Sequence, residues 1–409
     1  MSGGEPCPWP DHVTGKLVRG PLPAVVLLPG LGDANRFETL YSTFAQQLAD
    51  HGYIVLSVDP QGQGRSDRDP APQYCEKPGA WQDPQEAGLV ERGECAGYDA
   101  PSEGDAELVD PAFQPLVDAA RASGDPNIYR TAVTIAVFAS LQYDREAFIQ
   151  RFPRLYAPFQ ARFTFAGIDA ANWLVSTDNP WLHLVDTDRI GIAGHSAGAD
   201  GAIIAGNAHR DRRFRAAVAW DTFGTQPFAP LGEMVPTIPT MIHQSEQAQF
   251  GFPWGAKPPD PELLPAYSTI GKFAQAGVAS YLLALRGSTH NEWQWYPNAL
   301  TAPFANASSK GLQVSLYFTV AWFDRWLKGP AGLGQTVYAE DARRRLTAPV
   351  FDDTADRSSI GQGTYDPVSD TNVPYYLGGE AVAEHLSRLF HTKYSFDHLV
   401  CADRLGGCP

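Results

Sequence analysis

The chain has 409 residues, with 46 acidic and 31 basic side chains and a formal net charge of -15 at pH 7. This acidic balance argues against an electrostatic grip on nucleic acid or on anionic membranes. With 44% hydrophobic and 19% charged residues, the composition is typical of a globular protein rather than a disordered one. We therefore expect one large α/β domain over residues 1–409.

The N-terminal part of the sequence predicts a strand, a helix and a second strand. The runs "PAVVLLPG" at 23–30 and "YIVLSVD" at 53–59 are short and apolar, which is typical of strands buried on both faces. The segment between them places its apolar residues on one helical face and ends at Gly52. Together they predict a parallel crossover unit.

The same alternation resumes near residue 189 and predicts a doubly wound, mostly parallel sheet. Helices are expected directly after Ser196, at about 262–276 and at about 309–328. The further strands are expected at 189–194, 215–221, 238–244 and 278–287. A longer apolar run at 131–143 is too short to span a bilayer, so we interpret it as a buried helix and expect no transmembrane segment.

Two regions do not follow this alternation. Residues 66 to about 130 are rich in Pro, Gly, Asp and Glu without periodicity, and we assign 66–160 to a lid-like insertion. Residues 329–409 are expected to form an irregular C-terminal extension with one helical stretch, "GEAVAEHLSRLF" at 379–390.

All the cysteines lie in Gly/Pro-rich or terminal stretches, which favours disulfide-stapled loops in an oxidising compartment. Our first pairings are Cys75 with Cys95 and Cys401 with Cys408, which leaves Cys7 over. The first residues lack the pattern of a secretory signal, and we interpret them as the start of a mature or trimmed chain. The sequence thus favours a secreted or periplasmic protein, with unpaired thiols in the cytoplasm as the alternative.

The stretch "RIGIAGHSAGADG" at 189–201 contains the candidate nucleophile, Ser196. This serine follows a β-branched strand and precedes a helix start made of small residues, which is the context of a strained elbow that exposes its Oγ. Gly194 and Gly198 leave room where a side chain would clash. The alternative is an ordinary turn serine that caps the helix.

A serine nucleophile needs a base and an orienting acid. The stretch "LALRGSTHNEW" supplies His290 as the base, just past the last predicted parallel strand. Asp221 and Glu246 both follow strands and are both candidates for the acid. The position of Asp221 at the end of an apolar strand favours it.

Acyl transfer also needs two donors that face the developing oxyanion. The backbone N–H groups of Ala197, next to the nucleophile, and Leu31, in the turn "LPGLGD", are the candidates. An aromatic group near the acid and base stretches is expected either to line an acyl pocket or only to pack the core. It comprises Trp254, Trp293, Trp295 and Tyr296.

Four stretches together resemble the α/β-hydrolase superfamily, especially its serine esterases of the platelet-activating-factor acetylhydrolase-like or dienelactone-hydrolase-like type. They are "PGLGDANRFETLYSTFAQQLADHGYIVLSVD", "GHSAG", "RFRAAVAWDTF" with "IPTMIHQSEQAQF", and "LRGSTHNEW". The resemblance implies an α/β-hydrolase fold and the roles given above for Ser196, Asp221, His290, Leu31 and Ala197. It covers about half of the chain and has no counterpart for the tail after residue 330.

The resemblance implies hydrolysis of carboxylic esters through an acyl-enzyme, with small or short-chain acyl groups favoured. A cutinase-like polyesterase, an amidase and a lyase or perhydrolase stay open as alternatives, as does a catalytically inactive binding protein. We expect a small or polymeric ester as partner and no metal or organic cofactor, since no histidine has zinc-ligand spacing. A monomer is the default oligomeric state.

Overall fold

The protein is described from a computed structural model. Its described residues are 9–10, 17–18, 20–31, 41–60, 63, 74–76, 92–94, 103–141, 145–207, 211–222, 235–245, 265–285, 290–293, 309–329, 336–347, 375–377, 380–382 and 390–405.

The strands of these residues are numbered in chain order. They are β1 (Trp9–Pro10), β2 (Leu17–Val18), β3 (Leu22–Leu28), β4 (Ile54–Ser57), β5 (Tyr74–Glu76), β6 (Arg92–Glu94), β7 (Val185–His195), β8 (Phe214–Trp220), β9 (Thr240–Ser245), β10 (Ser280–Leu285), β11 (Tyr375–Leu377), β12 (Glu380–Val382), β13 (Phe390–Phe396) and β14 (Leu399–Leu405).

The α-helices are numbered in the same way. They are α1 (Ser42–Asp50), α2 (Glu103–Ala106), α3 (Gln114–Ala122), α4 (Pro126–Leu141), α5 (Arg145–Leu174), α6 (Ala197–Gly206), α7 (Pro265–Gln275), α8 (Ser309–Phe323) and α9 (Thr336–Thr347). Short 3-10 turns occur at Leu182–Leu184 and His290–Trp293, and a π-helical turn at Asp324–Lys328 continues α8.

Eight of the strands form one sheet, in the order β14-β13-β10-β9-β8-β7-β3-β4. The six strands from β10 to β4 are parallel, and they are the six that the apolar runs predict. The expected α/β class with a mostly parallel sheet is therefore confirmed. Since β4 and β7 lie on opposite sides of β3, the strand order reverses between β3 and β7, which is where such sheets bind ligands at their carboxyl edge.

Helices cover both faces of the sheet because its strands are apolar on both sides. Along β3, Val25 and Leu27 pack with α1 and α8 on one face. Ala24, Val26 and Leu28 pack with α5 and α6 on the other face. Helix α7 adds a further cluster beside α6 on that second face. This doubly wound arrangement leaves the carboxyl ends of the parallel strands as the place where side chains of different strands meet.

The C-terminal region differs from the irregular extension that we expected. Strands β13 and β14 form an antiparallel hairpin that pairs with β10 at one end of the main sheet. In β13, Thr392, Tyr394 and Phe396 are buried, while Lys393 and Ser395 are less so. This alternation with a period of two is a strand signal that the sequence analysis missed. The helix expected at 379–390 is also wrong where the structure describes it, because residues 380–382 form β12.

The region between β4 and β7 contains more regular structure than its composition suggested. Helices α2, α3 and α4 occupy most of 103–141. Helix α4 covers residues 131–141 of the helix expected at 131–143, and the last two residues lie outside the described ones. Helix α5 then packs on the sheet. Most of residues 66–102 lie outside the described residues, and a lid role for 66–160 stays a prediction.

A buried group of charges joins the C-terminal helix α9 to the core. Asp324, which is fully buried, accepts hydrogen bonds from Tyr53 Oη at 2.7 Å and from Arg345 Nη2 at 2.5 Å. Lys328 Nζ lies 3.3 Å from the same carboxylate. We call these four residues the Asp324 cluster. Because Arg345 belongs to α9, this part of the tail is tied to the domain by buried ion pairs.

Cys401 forms a disulfide bond, and the side chains of the other four cysteines lie outside the described residues. The pairing of Cys401 with Cys408 and that of Cys75 with Cys95 therefore stay predictions. Among the described helices, none combines the length and the apolar character that crossing a membrane requires.

Candidate active site

Ser196 lies at the junction of β7 and α6 in a strained backbone conformation. Its φ of 56° and ψ of -120° lie in a region that residues with side chains rarely adopt. It occupies the N-cap position of α6, but its side chain makes no capping hydrogen bond. Such strain costs about 1–3 kcal/mol and persists where the surrounding structure fixes it. The geometry is that of the elbow expected from the sequence, because a sharp turn between strand and helix projects the side chain at the edge of the sheet.

The glycines around Ser196 are required by close backbone contacts. A Cβ atom at Gly194 would lie 2.3 Å from the carbonyl oxygen of Gly198. A Cβ atom at Gly198 would lie 2.3 Å from the carbonyl oxygen of Pro29, in the turn after β3. The absence of these side chains therefore lets the helix, the strand and the turn after β3 meet at the candidate nucleophile.

Asp221 follows β8 and is fully buried, with a positive φ of 52°. Its Oδ1 accepts hydrogen bonds from Gln244 Nε2 at 2.8 Å and from the backbone N–H of Ser245 at 2.7 Å. The Ser245 hydroxyl lies 2.8 Å from both carboxylate oxygens. These donors come from the C-terminal end of β9, the next strand in the sheet. The end of β9 therefore holds the Asp221 carboxylate in one orientation.

The structure brings Asp221 and His290 together across the sheet edge. The distance from His290 Nδ1 to Asp221 Oδ2 is 2.6 Å, and the His290 side chain is nearly fully buried. Because the carboxylate accepts at Nδ1, it holds the proton on that nitrogen and leaves Nε2 as the atom that can accept one. Glu246, the alternative acid, lies outside the described residues.

His195 joins three parts of the site, and no pattern in the sequence indicated this role. Its Nε2 donates to the backbone carbonyl oxygen of His290 at 2.8 Å. Its Nδ1 lies 2.7 Å from the Tyr41 hydroxyl. The Tyr41 oxygen in turn accepts the backbone N–H of Gly30 at 3.1 Å.

This chain of hydrogen bonds has one consistent direction. A carbonyl oxygen only accepts, so His195 carries its proton on Nε2, and its Nδ1 accepts the Tyr41 hydroxyl proton. The chain thus runs from Gly30 through Tyr41 and His195 to the backbone of His290. It connects the turn after β3, the end of β7 and the turn that holds the candidate base.

A second buried carboxylate supports the other side of the elbow. Asp200 lies one turn into α6 and accepts the hydroxyl of Tyr156 at 2.9 Å and that of Thr222. Burial, followed by the charge of Asp200, raises the pKa of Tyr156 well above its ordinary value. Since Thr222 follows Asp221, this carboxylate ties the candidate acid's strand end to the candidate nucleophile's helix.

The two candidate oxyanion donors lie on either side of the contact between Gly198 and Pro29. Ala197 is the first residue of α6, and Leu31 ends the described part of the turn after β3. Within the described residues, neither backbone N–H donates a hydrogen bond, whereas the N–H of Gly30 is taken by Tyr41. These two amides are thus unoccupied at the edge where Ser196 lies.

Trp293 is fully buried and belongs to the core on the α1 and α8 face. Its indole N–H donates to His243 Nδ1 at 3.2 Å. Burial lowers the pKa of His243 to about 3, so this histidine is neutral and can accept that bond. The structure thus corresponds to the packing alternative for Trp293, while Trp254, Trp295 and Tyr296 lie outside the described residues.

Among the described residues, no group of three or more His, Cys, Asp or Glu side chains is arranged to hold a metal ion. No protein-family model matches the sequence, and no curated protein matches it. Among solved structures, a ferulic acid esterase from Streptomyces cinnamoneus is similar, with a TM-score of 0.38 and 18% identity over 80% of this chain and 75% of that chain. A likeness this remote carries no argument about activity, which depends on the geometry of the site.

Proposed function

We propose that this chain is a serine hydrolase of the α/β-hydrolase type that cleaves carboxylic esters. The observation that carries the proposal is the 2.6 Å contact between His290 Nδ1 and Asp221 Oδ2, made at the sheet edge where Ser196 occupies a strained elbow. A buried carboxylate held on a histidine, next to an elbow serine, is the arrangement that activates a serine hydroxyl.

In the proposed reaction, Ser196 Oγ attacks the ester carbonyl carbon while His290 Nε2 takes the hydroxyl proton. Asp221 stabilises the resulting imidazolium charge and keeps its orientation. The N–H groups of Leu31 and Ala197 donate to the developing oxyanion. His290 then gives its proton to the leaving alkoxide, and a water molecule hydrolyses the acyl-enzyme by the same steps in reverse roles.

The domain organisation and substrate class belong to the same proposal. Residues 1–409 form a single domain in which 66–160 is a lid-like insertion and 329–409 an extension that completes the sheet. The favoured substrates are esters of small or short-chain acyl groups, and a secreted or periplasmic location is inferred from the cysteine placement. The loss of the predicted bridges on reduction is measurable as a mass increase of about 2 Da each.

The test measures initial rates on p-nitrophenyl esters from acetyl to palmitoyl and labelling by a fluorophosphonate. Ser196→Ala is expected to lower the rate by roughly 10⁴-fold or more and to abolish labelling. Ser123→Ala, in an exposed turn, is the matched control and is expected to keep both. Wild-type rates or labelling in Ser196→Ala would reject the proposal, and absent labelling of the wild type would favour an inactive binding protein.

Two further comparisons distinguish the alternatives. Asp221→Asn and Glu246→Gln identify the acid, since only the true partner of His290 should be indispensable. Matched ester and amide substrates, together with a polyester film, distinguish a small-ester hydrolase from an amidase or a polyesterase. An amide rate equal to the ester rate would contradict the ester preference but not the assignment of Ser196.

A further inference from the structure

Two arginines on adjacent helices have no acidic partner among the described residues. Arg162 is on α5 and only 6% exposed. Arg130 is on α4 and half-buried. The two guanidinium groups are close enough for the charge of Arg130 to lower the pKa of Arg162. The two like charges thus lie near each other on helices that pack together.

On the described parts of these two helices, three polar side-chain atoms are buried without a hydrogen-bond partner. They are Nε of Arg130, Nε of Arg162 and Oγ1 of Thr134, which lies one turn after Arg130 on the same face of α4. Within the described residues, no hydrogen bond or ion pair reaches either guanidinium; Arg162 only lies over the Phe159 ring, at 5.9 Å. Burial of a polar atom without a hydrogen-bond partner destabilises the folded protein, so a ligand that bonds to these atoms would stabilise it.

A shortage of acidic residues does not explain these unpaired arginines, because the chain has 46 acidic and 31 basic side chains. Six other described arginines each form an ion pair with an aspartate. These pairs are Arg121 with Asp118, Arg189 with Asp186, Arg213 with Asp211, Arg325 with Asp397, Arg344 with Asp341 and Arg345 with Asp324. Arg130 and Arg162 therefore stand out as a pair of cations whose counter-charge the described protein does not supply.

Both side chains keep their charge at neutral pH. Burial first, and the charge of Arg130 second, lower the pKa of Arg162 to about 10, which is still well above 7. Burial also lowers the pKa of Arg130. Two cations that repel each other, one of them buried and the other half-buried, are stabilised when an anion binds between them.

We propose that Arg130, Arg162 and Thr134 form a binding site for a small oxyanion group, either a carboxylate or a phosphate. The guanidinium N–H groups donate to the oxyanion in the forked geometry that arginine provides, and the Thr134 hydroxyl supplies a further donor. The site is independent of the proposed ester hydrolysis, since it uses none of the residues around Ser196.

Contacts on both sides connect this site to the candidate active site. Next to Arg162, Phe163 packs against Gly201 of α6, the helix that begins at the candidate nucleophile. Next to Arg130, Thr131 accepts a hydrogen bond from Gln63, which follows β4 at the carboxyl edge of the sheet, at 3.3 Å. A bound anion would therefore order the helices that flank the sheet edge.

The test is thermal unfolding of the full chain at pH 7 in sodium chloride, inorganic phosphate or acetate at equal ionic strength. We expect phosphate, acetate or both to raise the Tm of the wild type by about 2 °C or more relative to chloride. Phosphate alone would identify a phosphoryl ligand and acetate alone a carboxylate ligand. A Tm unchanged by either salt would overturn the proposal.

Variants separate this site from general salt effects. Arg162→Met is expected to abolish the anion-dependent shift and to unfold in chloride at or above the wild-type Tm, because it removes an unpaired buried charge. Thr134→Val, which keeps both charges and the side-chain shape, is expected to weaken the shift. Arg121→Met removes an exposed arginine of α3 and should leave the anion-dependent Tm shift unchanged. An equal shift in Arg162→Met and wild type would also overturn the proposal.

Discussion

The two aspartates Asp221 and Asp324 are both fully buried, yet their surroundings differ in kind. Asp324 faces the full positive charges of Arg345 and Lys328. Asp221 accepts hydrogen bonds from neutral donors of Gln244 and Ser245, and among the described residues its one titratable partner is His290. The positive charges of Arg345 and Lys328 already neutralise the Asp324 carboxylate. Neutral groups orient the Asp221 carboxylate, so its negative charge remains available to stabilise an imidazolium on His290.

This difference distinguishes a carboxylate that stabilises the fold from one that we propose takes part in catalysis. Removing a fully paired carboxylate leaves buried cations without a counter-charge, so the cost appears in stability. Removing a carboxylate that only orients a histidine changes the tautomer of that histidine, so the cost appears in the rate. The following substitutions test this contrast in order of decreasing expected effect.

Asp221→Asn is expected to lower kcat/KM by about 10⁴-fold. Gln244 Nε2 and Ser245 N can only donate, so the amide oxygen of the new side chain must replace Oδ1, and its NH₂ group must face His290. His290 would then carry its proton on Nε2, the wrong atom for a base. Ester kinetics measure the rate, and urea unfolding should show a stability change of at most about 2 kcal/mol. A rate within tenfold of wild type would exclude Asp221 as the orienting acid.

Asp324→Asn is expected to give the opposite result, with a loss of about 3–5 kcal/mol in the free energy of unfolding. The activity per folded molecule should stay close to wild type. Asp341→Asn is the control, because Asp341 also pairs with Arg345 but is more exposed. It should cost no more than about 1 kcal/mol. Equal losses of unfolding free energy in the two variants would show that the burial of an ion pair does not determine its contribution to stability.

Acid should destabilise the region beside Asp221 through His243, whose backbone oxygen accepts the N–H of Asp221. The pKa of His243 is about 3 in the folded chain and 6.5 when unperturbed, so the unfolded chain binds this proton first. The stability that comes from keeping His243 neutral is present above pH 6.5 and is lost as the pH falls towards 3. We expect a loss of about 2 kcal/mol between pH 7 and pH 5 in urea unfolding. His243→Gln should reduce this loss of unfolding free energy between pH 7 and pH 5. An unchanged loss in the variant would show that His243 is not its cause.

The smallest effect is expected from Tyr41→Phe, which breaks the link from Gly30 to His195. The Tyr41 hydroxyl makes two buried hydrogen bonds, with Gly30 and His195, and their loss should cost about 1–2 kcal/mol. It should also reduce kcat severalfold, because the turn that holds His290 loses support. Tyr281→Phe removes a similar buried hydrogen bond, to the carbonyl of Leu346, away from the site. It should lower stability alone. Equal kcat values in the two variants would show that the Tyr41 link does not position the site.

The sequence predicted those features that one stretch of chain encodes. Each of the six parallel strands is an apolar run, and the elbow around Ser196 is a local pattern of small residues. The contact between Asp221 and His290 was also expected, because residues that follow parallel strands meet at one edge.

Features that depend on the packing of distant segments were not predicted. The donors Gln244 and Ser245 end the strand β9 beside β8, which is a signal that could have been used once the strand order was known. The partners of His195, Tyr41 and the backbone of His290, come from segments far apart in the chain. The arginine pair was missed for another reason, since no sequence pattern distinguishes an unpaired arginine from a paired one.

The hairpin of β13 and β14 also has a consequence for synthesis of the protein on the ribosome. Strand β10 ends at Leu285, whereas its antiparallel partner begins at Phe390, so β10 emerges long before the segment that covers it. Until then, a nascent chain that has folded its parallel strands presents an apolar edge to other chains. Synthesis and pairing of β13, rather than formation of the parallel core, is therefore the step that covers this edge and protects it from aggregation.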